Sequence, residues 1–224
     1  MNNISVHPTN SDAAQLAPLE YSHQIESNFK VLYIGSKNKK ISVDNYQPLK
    51  QRDIEEYITN TQKFNHPNIL YLLRKNLPKP SSNDLIFKLD TTITYPIVLE
   101  RSETATFMNR FLDTVLANPL IIENVSRNFL EITFDNRVQL SIEAKNQNNA
   151  WQAITYPYQL FCGTGRYPHP LFPKEIVVTS VPILKGEFET SARFKIYNSV
   201  SEEFKISIDK SIFDSPFENK LTNL

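Results

Sequence analysis

Glycine is scarce in this chain. Only 4 of its 224 residues are glycine, where average usage of about 7% would give roughly 15. The glycine-cradled phosphate motifs GxGxxG and GxxxxGK[ST] are absent from the sequence, and so is the GxSxG elbow of serine hydrolases. A single cysteine excludes an internal disulfide and leaves the redox compartment open. A charge excess is missing too: 24 basic and 24 acidic side chains give a formal net charge of zero. That balance disfavours nucleic acid as a partner, because binding through phosphate neutralisation needs surplus Lys and Arg.

The first 27 residues contain no Lys or Arg and no apolar run longer than two residues. A secretory signal peptide needs both a charged start and a continuous apolar stretch, and a transit peptide needs arginine, so neither is expected here. No run is long and apolar enough for a membrane span. A virion or cytoplasmic location fits these absences, with an exported protein as the alternative if a leader precedes this sequence. HExxH, His-x-His and carboxylate clusters with ligand spacing are also absent, so no metal or other cofactor is expected.

What is present is apolar mass: 40% hydrophobic and 11% aromatic residues suffice for one large or two small cores. The neutral total also hides a polarity. Residues 1–27 carry 3 acids and no bases, residues 28–90 carry 11 bases and 6 acids, and residues 91–224 carry 13 bases and 15 acids. An acidic arm beside a basic segment suits charge pairing within the molecule or between copies.

The patterning predicts an α+β, mainly β chain in four parts. Residues 1–27 form an extended arm, 28–118 a small hairpin-plus-helices subdomain, 119–213 an antiparallel β-sandwich of immunoglobulin-like architecture, and 214–224 a tail. In the subdomain, alternation over Asn28–Tyr46 predicts a hairpin. Ile54, Tyr57 and Ile58 fall on one face of a helix after Pro48, and Ile69, Leu70, Leu72 and Leu73 form a second helix after Asn65. Strands are expected at Leu85–Leu89 and Ile93–Glu100, with Pro96 placing the latter at an edge or bulge. Phe107, Phe111, Leu112 and Val115 predict a helix that Ser102 caps and Asn118-Pro119 stops.

From Leu120 on, alternation dominates. A turn is expected between Phe134 and Val138. Val138, Leu140, Ile142 and Ala144 alternate with Gln139, Ser141 and Glu143, which predicts a strand with one wet face. Thr190, Ala192, Phe194 and Ile196 alternate with Ser191, Arg193 and Lys195, and Phe204, Ile206 and Ile208 follow after a turn. About seven short strands of this kind imply a two-sheet sandwich.

The one stretch with reactive residue types is Phe161–Pro170. It holds Cys162, Gly163, Gly165, Arg166, Tyr167 and His169, and a Cys162/His169 pair is the weak catalytic candidate. Against it, Cys162 ends an apolar run, and His169 lies between two prolines that favour an extended crossover loop. Candidate binding residues are Lys37, Lys39 and Lys40, which form a basic turn, and Trp151, Tyr156, Tyr158, Arg166 and Tyr167, which are concentrated near one connection. Asn3-Ile-Ser5 and Asn124-Val-Ser126 have the form of glycosylation acceptors.

Together these features predict a non-catalytic structural or interaction subunit of a larger assembly, of virion or secretion type. Its expected partners are other protein subunits or copies of itself, engaged through the arm and the sheet edges. Two alternatives are an exported bacterial β-sandwich module binding a glycan or surface protein, and a cysteine-dependent enzyme centred on Cys162.

Overall fold

The computed structural model describes residues 6–7, 19–20, 25–26, 29–37, 41–42, 77–102, 110–134, 137–156 and 168–214. Among these the chain is built of strands, with one 3-10 helix at Lys210–Asp214. The helices expected over 49–64 and 65–75 lie outside the described residues.

One five-stranded sheet holds β4 (Val31–Ser36), β6 (Leu85–Leu89), β7 (Tyr95–Ser102), β8 (Arg110–Asn124) and β15 (Glu175–Pro182), every pair antiparallel. The 15-residue β8 is its axis. On one side Ala117–Glu123 pairs with β15, which in turn pairs with β4. On the other side β6 and β7 lie end to end, against Leu120–Asn124 and Arg110–Ala117.

The helix expected from Ser102 through Val115 is corrected here, since Arg110–Val115 opens β8. Asn118 and Pro119 likewise stop no element, because β8 runs through both of them. The physical reason is that Phe111, Leu112 and Val115 fit a helical spacing in a strand as well, and the run that follows them, Ala117–Ile122, is buried on both faces and adds no alternation to correct the reading. A strand covered above and below carries a continuous apolar run, and such a run has no period that separates strand from helix. Every residue from Ala117 to Ile122 is buried. Asn118 and Pro119 sit where the neighbouring edge passes from β6 to β7. Pro119 has no N–H, and at that junction its carbonyl accepts the N–H of Asp90 at 3.0 Å. The Asn118 amide donates to the Ile93 carbonyl at 2.7 Å and to Thr94 Oγ1 at 3.2 Å. The pair that resembles a helix stop therefore fills the gap between two collinear strands. Pro96 lies in β7, an outer strand among the described residues, as an edge proline should.

The second five-stranded sheet holds β11 (Ser141–Lys145), β12 (Trp151–Ala153), β17 (Phe188–Ile196), β18 (Ser199–Val200) and β19 (Phe204–Ile208), with β17 pairing β11, β18 and β19. A three-stranded sheet joins β9 (Leu130–Phe134), β10 (Arg137–Val138) and β14 (Pro168–Leu171). The turn expected after Phe134 is borne out by the pairing of Arg137 with Phe134. The hairpin expected over Asn28–Tyr46 is not formed: β4 pairs β15, while β5 (Ile41–Ser42) runs parallel to β1 (Val6–His7).

All three larger sheets feed one apolar cluster, which includes Val31, Leu120, Ile122, Leu130, Ile132, Leu140, Ile142, Phe194, Ile196 and Ile208. Phe194 of β17 stacks on Phe204 of β19 with ring centroids 4.6 Å apart and meets Phe87 of β6 at 6.4 Å. The expected alternation of β17 holds, with Thr190, Ala192, Phe194 and Ile196 all buried.

Candidate functional site

The non-core face of the second sheet carries the densest charge constellation among the described side chains. Period-two geometry places alternate residues of a strand on one face, and antiparallel register sets partners side by side. Lys145 of β11 lies opposite Trp151 of β12, Glu143 opposite Arg193 of β17, and Ser141 opposite Lys195. Arg193 grips Glu143 Oε2 through Nε at 2.7 Å and Nη2 at 2.6 Å, while Lys195 Nζ reaches Oε1 at 2.6 Å. The Arg193 guanidinium stands 4.2 Å from the Trp151 ring centroid, and Lys145 Nζ stands 4.9 Å from it. Lys145 also pairs with Glu203 at 3.0 Å.

This overturns the wet face expected for β11. Gln139, Ser141 and Glu143 are buried, Glu143 being only 8% exposed. Burial works to raise the Glu143 carboxyl pKa, but hydrogen bonds from Lys195 and then Arg193, reinforced by their charges, outweigh it and hold the pKa below the ordinary carboxylate value. Glu203 is likewise held low, first by its hydrogen bond from Lys145.

A depressed folded-state pKa gives stability that is fully present above the unfolded pKa and is lost as pH falls through the folded one. Glu143→Gln, which carries no charge at any pH, is expected to cost about 2 kcal/mol at neutral pH, the scale of lost charge-assisted hydrogen bonds. That deficit should shrink as the pH falls below the ordinary carboxylate value and through the lowered folded-state one, where the native carboxyl itself takes up a proton. Unfolding midpoints of both proteins across this range check it, and a deficit independent of pH would contradict the assignment.

Chemically the constellation is saturated. Glu143 is ionised and both its oxygens are engaged, so it is a poor proton donor. Arg193 and Lys145 both lie close to the Trp151 ring, which limits its use as an open platform for a sugar. Lys37, the described member of the basic turn, pairs with Glu123 across the sheet. Lys39, Lys40, Tyr158, Cys162, Arg166 and Tyr167 lie outside the described residues. Tyr156 is placed in β13 (Thr155–Tyr156) and His169 in β14, with only their backbone positions described. The structure therefore brings together one predicted residue, Trp151, with five that the sequence reading did not select: Glu143, Lys145, Arg193, Lys195 and Glu203. Alternation alone shows that Glu143 and Lys145, or Arg193 and Lys195, share a face; only the cross-strand register shows that they meet.

Among the described residues no group of three or more His, Cys, Asp or Glu side chains is placed to hold a metal ion, and no helix is long and apolar enough to cross a membrane. Compared with protein-family models, curated proteins and solved structures, the chain matches none of them, so its function must be argued from its own residues.

Proposed function

We propose that the chain is a non-catalytic structural and interaction subunit of a larger assembly, of virion or secretion type. In this proposal a β-sandwich of immunoglobulin-like architecture docks to its neighbours through the N-terminal arm and the sheet edges. The observation that carries the proposal is the form of the arm. Its described residues are three two-residue strands, β1, β2 (Leu19–Glu20) and β3 (Ile25–Glu26), and each runs parallel to a strand far along the chain or beyond the arm. A segment that adds itself strand by strand to other strands uses main-chain hydrogen bonds, the mode by which sheets recruit extended peptides. Outer strands such as β4, β7, β12 and β19 offer further edges of this kind. The saturated charge network supports the same reading, because it stiffens a face without leaving a group free for catalysis.

Removing residues 1–27 tests the proposal. Molar mass by light scattering is expected to fall for the complexes that the shortened chain forms. Unchanged mass, both for the chain alone and for its complexes, would sink it.

A further inference from the structure

The arm's own attachment points identify a partner. Resting on the interaction reading above, we propose that the arm is exchanged between two copies of this chain, each arm adding β2 and β3 to the other copy's β16 (Leu184–Lys185) and β13.

Three observations lead there. The ladders are short and parallel: Leu19 and Glu20 lie opposite Leu184 and Lys185, and Ile25 and Glu26 lie opposite Thr155 and Tyr156. Parallel pairing is slightly weaker per residue than antiparallel pairing, and two residue pairs hold little against thermal opening.

The receiving strands, by contrast, are anchored without the arm. Leu184 packs on the main apolar cluster, and Gly186 just beyond it lies against the Ile208 backbone. Ile154 is buried, and Thr155 Oγ1 accepts the Ile142 N–H at 2.8 Å. The slots therefore keep their shape when the arm leaves.

Charge also matches. The arm carries acids and no bases, and its Glu20 takes the register position opposite Lys185. An exchanged arm makes the same contacts in the other copy that it makes in its own, so concentration decides which form prevails.

Cysteine trapping tests this in the full chain with Cys162→Ser. Parallel neighbours lie about 4.8 Å apart, within disulfide reach. Chains carrying only Leu19→Cys are mixed with chains carrying only Leu184→Cys and oxidised. A second pair, Glu26→Cys with Tyr156→Cys, guards against a variant that fails to fold, and Leu19→Cys with Val200→Cys is the off-register control. The expected result is a disulfide-linked two-chain species from both register pairs and none from the control. Its ratio to single chains should rise up to about tenfold for a tenfold rise in concentration. If only chains carrying both cysteines of a pair are linked, each within itself, the exchange is overturned. In that case arm removal separates the two ideas: a fall in the mass of the chain's complexes keeps the interaction reading and discards the exchange, whereas no change discards both.

Discussion

Gly186→Ala is expected to lower the stability of the chain by about 3 kcal/mol, at the upper end of what overpacking costs. A Cβ at this position would stand 1.9 Å from the Ile208 carbonyl carbon, 2.2 Å from its oxygen and 2.2 Å from the Asp209 nitrogen. These are backbone atoms, so no rotamer change relieves the clash. One of the two chain segments must move. Ile208 is fully buried in the main cluster, and the 3-10 helix that follows is tied to β12 by Gln152 Nε2, which donates to the Phe213 carbonyl at 2.9 Å. Moving β19 outward therefore opens the core beneath Phe204 and Ile206, and moving Gly186 shifts the start of β17. Urea or thermal unfolding measures the effect, and a midpoint unchanged from the parent would show that the close approach is not a constraint.

Asn124→Ala is expected to cost a similar amount, about 3 kcal/mol, by a different route. Asn124 is 0% exposed and its carboxamide is fully used. Its nitrogen donates to the carbonyls of Asn128 at 2.7 Å and Leu171 at 2.9 Å, and its oxygen accepts from the Ser126 N–H at 2.9 Å and hydroxyl at 2.8 Å. Alanine removes all four bonds: the Asn128 carbonyl keeps a bond from Ser126 Oγ at 3.0 Å, whereas the Leu171 carbonyl loses its buried donor, and an unsatisfied group costs about 1–3 kcal/mol where water cannot reach it. Ser126→Ala removes only the hydroxyl and should cost about 1 kcal/mol. If the two variants unfold at the same midpoint, the buried amide is not what joins β8 to the end of β14. The same geometry bears on the Asn124-Val-Ser126 acceptor pattern. In the folded chain the nitrogen that would carry a sugar is buried and hydrogen-bonded to two carbonyls.

The legible part of the sequence was the part with one dry face and one polar one. The alternation of β17 and β19, the strand Leu85–Leu89, the turn after Phe134 and the edge role of Pro96 all follow from local pattern. Two kinds of information were not local. The first is cover on a second face: Ala117–Ile122 of β8 shows no alternation because both its faces are buried, and Glu143 reads as solvated because its neighbours on β17 lie some fifty positions away in sequence. The second is pairing choice. Val31–Ser36 has the alternation of a hairpin strand, yet its partner is Glu175–Pro182 and not Ile41–Ser42. Trp151 was found because a lone large aromatic is conspicuous, whereas its cationic neighbours become visible only when the register is known.

The β4–β15 pairing has a consequence for how the chain matures. Thr179 donates its hydroxyl to the Lys30 carbonyl across 149 positions of sequence, beside the ladder that joins Val31 to Thr179. During synthesis β4 emerges long before β15 and waits, its edge unsatisfied, until the intervening residues have been made. Closing so long a loop is slow, because its entropy is spent before the contacts that reward it can form. The interval leaves β4 open to chaperones or to another nascent copy, and the final sheet closes only once the segment around Thr179 has left the ribosome.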